Sequence, residues 1–268
     1  PIPRTLSLTA YGDLDTTSIR ELPAGRRPVR TWVVGEEKRE GAYEFIRERL
    51  REGRQAYVVC PLVEDSEKLQ AKAAGVEAER LRAGELSGFE VGLLHGQMSS
   101  AEKSEAMERF VAGRTDVLVA TTVIEVGIDV PNATVMLVEG AERYGLSQLH
   151  QLRGRVGRGG HESHCILFAD PESELARRRM EAIATIRDGF ELAEVDLTLR
   201  GEGEILGTRQ HGLPRFRVAE LPADAALLAE ARREVIAMLR RHGDLAAPEL
   251  GPLLALLLIV TAALARAG

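Results

Sequence analysis

Four short runs, apolar along almost their whole length, set the tightest limit on how this chain can fold: Ala56–Cys60, Asp116–Ala120, Thr134–Val138 and Cys165–Ala169. A strand buried on one face alternates apolar and polar residues. A strand apolar throughout is buried on both faces, as in a parallel sheet covered by helices. Val29–Val34 and Phe89–Leu94 complete the strand set, and stretches of helical period lie between. Glu37–Arg51 carries Tyr43, Ile46 and Leu50 on one stripe and closes at Gly53, and Ser66–Leu86 is helical with a weak point at Gly75. Ser99-Ser-Ala-Glu102 fits a capping box opening a helix to about Val111, with Met107 and Phe110 inward and Gly113 as its stop. Strands alternating with helices predict βαβ units and an α/β fold on a parallel sheet. Ligands of such sheets bind beyond the carboxyl ends of the strands. Thr121-Thr122 and Glu125–Asp129 follow Asp116–Ala120, and His95-Gly96 follows Phe89–Leu94, so all are expected on one edge.

Beyond Pro171 the pattern turns helical, over Glu172–Arg187, Phe190–Leu199 and Ala223–Arg241, which places a boundary near residue 170. Arginines crowd residues 171–217 with acids among them, which reads as a charge network. The 268 residues carry a net charge of −6 and a pI near 5.7. No broad basic field exists, so any nucleic-acid contact must come from local arginines. Two cysteines, Cys60 and Cys165, make neither a disulfide framework nor a zinc cluster, and with no signal peptide they fit a cytoplasmic protein. His161 and His164 have an HxxH spacing, but without a third ligand nearby they read as a surface turn, and no metal site is expected. The apolar run Leu253–Leu264 spans about twelve residues, against roughly 20 needed to cross a bilayer. It reads as a buried C-terminal helix, or as a face needing a partner domain, and not as a membrane anchor. The opening Pro1-Ile-Pro, without methionine, reads as a cut inside a longer protein.

Gln151-Leu-Arg-Gly-Arg-Val-Gly-Arg158 carries the densest chemistry, with three arginines in six residues and two glycines among them. On a helix, Gln151, Arg155 and Arg158 at i, i+4 and i+7 share one face, with Leu152 and Val156 buried on another. The glycines let a backbone or ligand come close. Paired guanidiniums on a packed element match phosphate oxygens in a fork. A solvated basic turn would need neither the glycines nor the apolar backing.

Ala120-Thr-Thr-Val-Ile-Glu-Val-Gly-Ile-Asp-Val-Pro131 and His150-Gln-Leu-Arg-Gly-Arg-Val-Gly-Arg-Gly159 resemble motifs V and VI of superfamily 2 helicases. Leu94-His-Gly96 with its capped helix resembles the segment before motif V. Within that superfamily the chain is most similar to the RecG family. Pro1-Ile-Pro-Arg-Thr-Leu6 is similar to the residues after motif III there, and Tyr11-Gly-Asp-Leu-Asp15 continues the match. Asp188-Gly-Phe190, Asp196-Leu197, Arg200-Gly-Glu-Gly203 and Gly207-Thr-Arg-Gln-His-Gly212 resemble the translocation motif that RecG shares with Mfd. The resemblance covers about residues 1–245.

This resemblance implies a second RecA-like lobe over residues 29–170. Residues 1–28 would enter from a first lobe, residues 171–217 would form a helical-hairpin translocation motif, and residues 218–268 the C-terminal helices and tail. It implies Arg155 and Arg158 as arginine fingers with Gln151 as nucleotide sensor, and Gly127, Asp129 and Glu125 as nucleotide-side residues. Thr121, Thr122, His95 and Gly96 would meet the DNA backbone. Arg179, Arg200, Arg209 and Gln210 would couple ATP turnover to translocation. Read from the residues alone, Asp129 is a turn or capping acid, Thr121-Thr122 a strand-end pair, His95 structural, and the later arginines a network with carboxylates. ATP and Mg2+ are implied, held mainly by a first lobe. The implied partners are branched or duplex DNA (forks and Holliday junctions), together with a wedge domain and first helicase lobe of the same protein.

No G-x-x-x-x-G-K-[ST] occurs in the chain and no DExx-type motif follows a strand. The chain is therefore expected to bind ATP weakly, not to hydrolyse it alone, and not to unwind DNA. Two other readings stay open: the corresponding lobe of Mfd, which displaces RNA polymerase, and a non-catalytic DNA-binding module that keeps the lobe fold. Tyr11–Asp15 and Ala141–Ser147 suit RecG better.

Overall fold

The computed structural model describes residues 27–60, 67–121, 129–205 and 225–242. The chain lays down β1 (Arg30–Val34), α1 (Arg39–Arg51), β2 (Gln55–Val59), α2 (Glu67–Ala83), β3 (Val91–Leu94), α3 (Ser100–Val111), β4 (Val117–Ala120), β5 (Ala133–Val138), α4 (Leu146–Arg153), β6 (His164–Phe168), α5 (Glu174–Thr185), α6 (Gly189–Ile205) and α7 (Ala225–His242). Six strands make one sheet in the order β1-β6-β5-β2-β4-β3, and every pairing is parallel.

All residues of β2, β4, β5 and β6 are buried, the physical content of their unbroken apolar runs. On one face, Tyr43, Ile46 and Leu50 of α1 and Ala74, Ala78 and Leu81 of α2 pack on Ala56, Val58, Val119, Leu137 and Ile166. On the other pleat face, Phe110 of α3 lies against Tyr57, with ring centroids 4.9 Å apart. Gly75 does not interrupt α2, and Met107 is only half-buried.

The capping box forms as spaced: the Ser99 hydroxyl accepts from the Glu102 N–H at 3.3 Å, and the Glu102 carboxylate accepts from the Ser99 N–H at 2.7 Å. Those bonds hold the Glu102 carboxyl below the usual carboxylate range. Ser99→Ala is expected to cost about 1 kcal/mol, read as a lowered urea midpoint; an unchanged midpoint would show that the box contributes nothing.

Glu139 closes the carboxyl end of β5. Arg39 grips it with Nη1 at 2.7 Å and Nη2 at 2.9 Å, and the Tyr43 hydroxyl donates to it at 3.2 Å. The Arg39 guanidinium also lies over the Phe168 ring, 4.2 Å from its centroid. A nearly buried carboxylate is tolerated here because its oxygens are met by a fork and a hydroxyl.

The described residues separate into two compact units, 27–196 and 197–242. The first holds the sheet and α1–α5. Helix α5 stays with the sheet because Ala176, Met180, Ala182 and Ile183 are buried. The second holds the end of α6 and all of α7. No described helix is long and apolar enough to cross a membrane, and Leu253–Leu264 lies outside the described residues.

Candidate nucleotide and DNA contact sites

The expected arginine helix does not run through Arg158. Helix α4 stops at Arg153, with Gly154 as its C-cap, and residues 154–158 form a turn. Gly157 has φ +76°, a left-handed backbone that L side chains rarely adopt, and a Cβ there would also come within 2.7 Å of Val29 Cγ2. A Cβ on Gly159 would lie 2.6 Å from the Pro131 carbonyl oxygen. Close approach of another backbone is expected at Gly154 and Gly157; Gly157 instead meets the Val29 side chain, Gly154 only carbonyls of its own turn, and the backbone approach occurs at Gly159. Leu152 and Val156 are buried beneath the turn as expected. Gln151 and Arg155 are half-buried, and the Arg158 side chain is about a third exposed.

Val29 precedes β1 and Pro131 precedes β5, so this turn lies at the amino edge of the sheet. Arg158 Nε lies 2.9 Å from Asp129 Oδ1 in an ion pair and donates its N–H to the Gly154 carbonyl at 3.1 Å. Asp129 therefore belongs to the amino edge as well, beside the lead-in to β5. Tyr57 of β2 lies below. Burial pushes its phenol up to about 12, opposed by the charges of Arg155 and Arg158 and aided by that of Asp129.

The groups read as DNA contacts sit at the opposite, carboxyl edge. The Thr121 N–H donates to the Leu94 carbonyl at 3.2 Å, which sets the end of β4 beside the His95-Gly96 turn. His95 gives its N–H to Met98 Sδ at 3.4 Å, and its Nδ1 is buried with no hydrogen-bond partner among the described residues. The Gly96 carbonyl accepts from Lys103 Nζ at 2.7 Å. Thr121 is only 4% exposed, which favours the strand-end reading of its hydroxyl.

The single shared edge expected from the sequence is thus corrected. Four to six residues of strand separate the two sets, about 13–20 Å at 3.3 Å per residue. Asp129 follows β4 in sequence, but it is carried to the start of β5. Thr122, Glu125 and Gly127 lie outside the described residues, as do Arg209 and Gln210; Arg200 is described only as part of α6. Arg179 lies on α5, with its Nε buried and no hydrogen-bond partner among the described residues. His164 is corrected too: it opens β6 and is buried, its ring edge-on to Phe45 at 4.8 Å.

Two side chains were missed. Lys103, which holds the His95-Gly96 turn, gave no signal beyond its place one turn after the cap. Arg153 did give one, because Leu146, Leu149 and Arg153 fall at i, i+3 and i+7, the buried stripe of α4. Arg153 is 5% exposed. It donates to the carbonyls of Ile183 at 2.8 Å, Ile186 at 2.9 Å and Arg187 at 3.3 Å, and lies 3.0 Å from His150 Nδ1. Burial lowers its pKa. The His150 ring in turn fills the space a Cβ on Gly189 would take, its Nε2 only 2.8 Å away. Helix α4, which ends in the arginine turn, is thereby tied to the α5–α6 corner.

Comparison with known proteins agrees with this geometry. Residues 37–160 match the helicase conserved C-terminal domain, and residues 186–257 match domain 3, C-terminal, of the ATP-dependent DNA helicase RecG. The chain is 51% identical to the ATP-dependent DNA helicase RecG of Synechocystis sp., over 92% of its own length and 30% of that protein. It is 47% identical to the RecG of Bacillus subtilis, over 87% of its own length and 34% of that protein. The chain belongs to the RecG family. A solved structure of RecG bound to a three-way DNA junction superimposes with a TM-score of 0.66 at 47% identity, covering 85% of this chain and 29% of that one. The sheet unit is accordingly a RecA-like second helicase lobe. The chain spans about a third of the length of its RecG relatives.

Proposed function

We propose that this chain supplies the second motor lobe of an ATP-driven DNA translocase that remodels stalled forks and Holliday junctions. The observation that carries the reading is the turn bearing Arg155 and Arg158 at the amino edge, on a loop set against Val29 at Gly157 and Pro131 at Gly159. ATP supplies a γ-phosphoryl group whose transfer to water spreads negative charge over its equatorial oxygens. Arg155 and Arg158 fit that charge, and a preorganised cation stabilises it without reorganising during the reaction. Gln151, one turn back on α4, would sense the nucleotide. The phosphate loop and Mg2+ ligands are assigned to a first lobe of the same protein.

At the carboxyl edge, the His95-Gly96 turn and the Thr121-Thr122 segment are the proposed contacts with a phosphodiester chain, positioning it without reading bases. The lobe would thus meet nucleotide at one edge and DNA at the other, with Arg179, Arg200, Arg209 and Gln210 relaying lobe closure to duplex DNA. A wedge domain elsewhere in the protein would split the fork.

The test uses the full-length product of the gene encoding this chain, given a three-way junction or linear duplex with ATP. ATP turnover stimulated by the junction, with conversion of the junction to its arms, is expected. This chain alone should show no DNA-stimulated turnover. Robust turnover by the chain alone, or none by the full-length protein on junctions, would overturn the reading.

A further inference from the structure

Helix α3 runs from the carboxyl edge of the sheet to its amino edge, about 18 Å for its 12 residues. Near its start Lys103 donates to the Gly96 carbonyl at 2.7 Å, in the turn read as a DNA contact. At its far end the last carbonyls of the helix lack intrahelical donors, and that of Phe110 accepts from Gln55 Nε2 at 2.6 Å. The same nitrogen donates to the Thr115 carbonyl at 2.8 Å, and the Gln55 side-chain oxygen accepts from Asn132 Nδ2 at 3.2 Å. Gln55 is 3% exposed, so water does not replace these bonds, and breaking them leaves buried polar groups unpaired.

Asn132 carries the connection onward. Its backbone carbonyl accepts from the Gln55 N–H at 3.0 Å, and its side chain donates to the Gly53 carbonyl at 2.9 Å and accepts from Arg54 Nη1 at 2.9 Å. It directly follows Pro131, against whose carbonyl Gly159, the neighbour of Arg158, is set. Two side-chain amides thus join the end of α3 to the peptide flanking the arginine turn, and one ammonium joins its first turns to the His95-Gly96 turn. Resting on the readings of these turns as nucleotide and DNA contacts, we propose that Gln55 is a positioning residue that couples them: it fastens α3 to the lead-in of β5, so that DNA held at the His95-Gly96 turn sets the arginine turn in its ATP-hydrolysing position.

The experiment measures ATP turnover by the full-length product, without DNA and at saturating three-way junction, for Gln55→Leu, Asn132→Ala, Lys103→Met and the Gln55→Leu/Lys103→Met pair. The readout is the stimulation, the ratio of the two kcat values. Gln55→Leu removes both donors to the end of α3 and should lower the stimulation roughly tenfold, within the range by which residues between coupled sites alter their coupling. Asn132→Ala, at a half-buried position, should lower it roughly threefold on the same scale, and the cycle runs on this variant where Gln55→Leu does not fold. Lys103→Met should lower it from the opposite end. Lys103 and Phe110 stand about 10 Å apart along α3, where unconnected sites act independently, yet the double variant should fall no further than its more damaging single variant. Thermal midpoints are measured in parallel.

Equal losses with and without DNA, leaving the stimulation unchanged, would make Gln55 a static support of the arginine turn and overturn the proposal. Lowered midpoints with the stimulation of the folded fraction intact would overturn it as well, by assigning the amides to stability alone. Effects of the two ends of α3 that multiply in the double variant would show that the helix does not connect the turns. If the unsubstituted full-length protein is not stimulated by junction DNA, the proposed function falls together with this inference. If it is stimulated and neither Gln55→Leu nor Asn132→Ala changes the ratio, only the coupling falls.

Discussion

Replacing Arg158 with alanine in the full-length product should lower DNA-stimulated ATP turnover by roughly 10³ or more, the range found when an arginine finger is removed. Arg155→Ala should show a loss of similar order. The pair together should fall well short of the product of the two, since both act on one developing charge. The loss should appear in kcat, because the cation is needed most where charge accumulates in the transition state. Folding should be nearly unaffected: Arg158 is held by a solvent-reached ion pair and one carbonyl, whose loss costs about 1 kcal/mol. Turnover is measured by phosphate release at saturating junction DNA, and stability by urea midpoint. Turnover within tenfold of normal in both single variants would remove the arginine-finger reading and favour a non-catalytic lobe.

The same eight residues show what a sequence reveals of such a site. The burial of Leu152 and Val156 was legible, because an apolar pair spaced four apart must pack somewhere. The backbone carrying the arginines was not. Gly154 in a helical pattern is compatible with continuation or with a cap, and nothing local decides between them. The parallel sheet was legible because strands such as Ala56–Cys60 are apolar on both faces, and the strand ends differ from the expected ones by one or two residues. Which edge each loop reaches was not, because the segment after β4 can end at either edge. Asp129 lies within a motif that starts at the carboxyl edge, yet it sits beside Arg158 at the amino edge. Pairs distant in sequence were the least visible. Arg39 and Glu139 stand 100 positions apart, and neither position announces a buried fork. The capping box needed only four consecutive residues, and it formed as expected.

Arg153 supports the second large expected effect, this time on stability. Helix α5 ends at Thr185, and the last carbonyls of any helix lack intrahelical donors. Here the guanidinium of Arg153 supplies one to Ile183 and also reaches the carbonyls of Ile186 and Arg187 just past the helix end, from another helix. Its charge also suits the negative end of the α5 dipole. Arg153→Met keeps most of the apolar stem but leaves buried or part-buried carbonyls without a donor, at about 1–3 kcal/mol for each one that water cannot reach. The desolvation cost of the buried cation disappears with it and offsets part of the loss. The net expectation is a destabilisation of about 3 kcal/mol, read from the urea midpoint of this chain at constant slope. Arg153→Lys keeps one charge and fewer directed donors, and should fall between wild type and Arg153→Met. Gly189→Ala tests the same corner from the far side, since its methyl would displace the His150 ring that lies beside Arg153. If Arg153→Met costs less than about 1 kcal/mol, water reaches those carbonyls and the corner is not held by the guanidinium. A loss near 3 kcal/mol, with Arg153→Lys intermediate, would establish that the turn carrying Arg155 and Arg158 and the start of α6 are fixed to each other through one side chain.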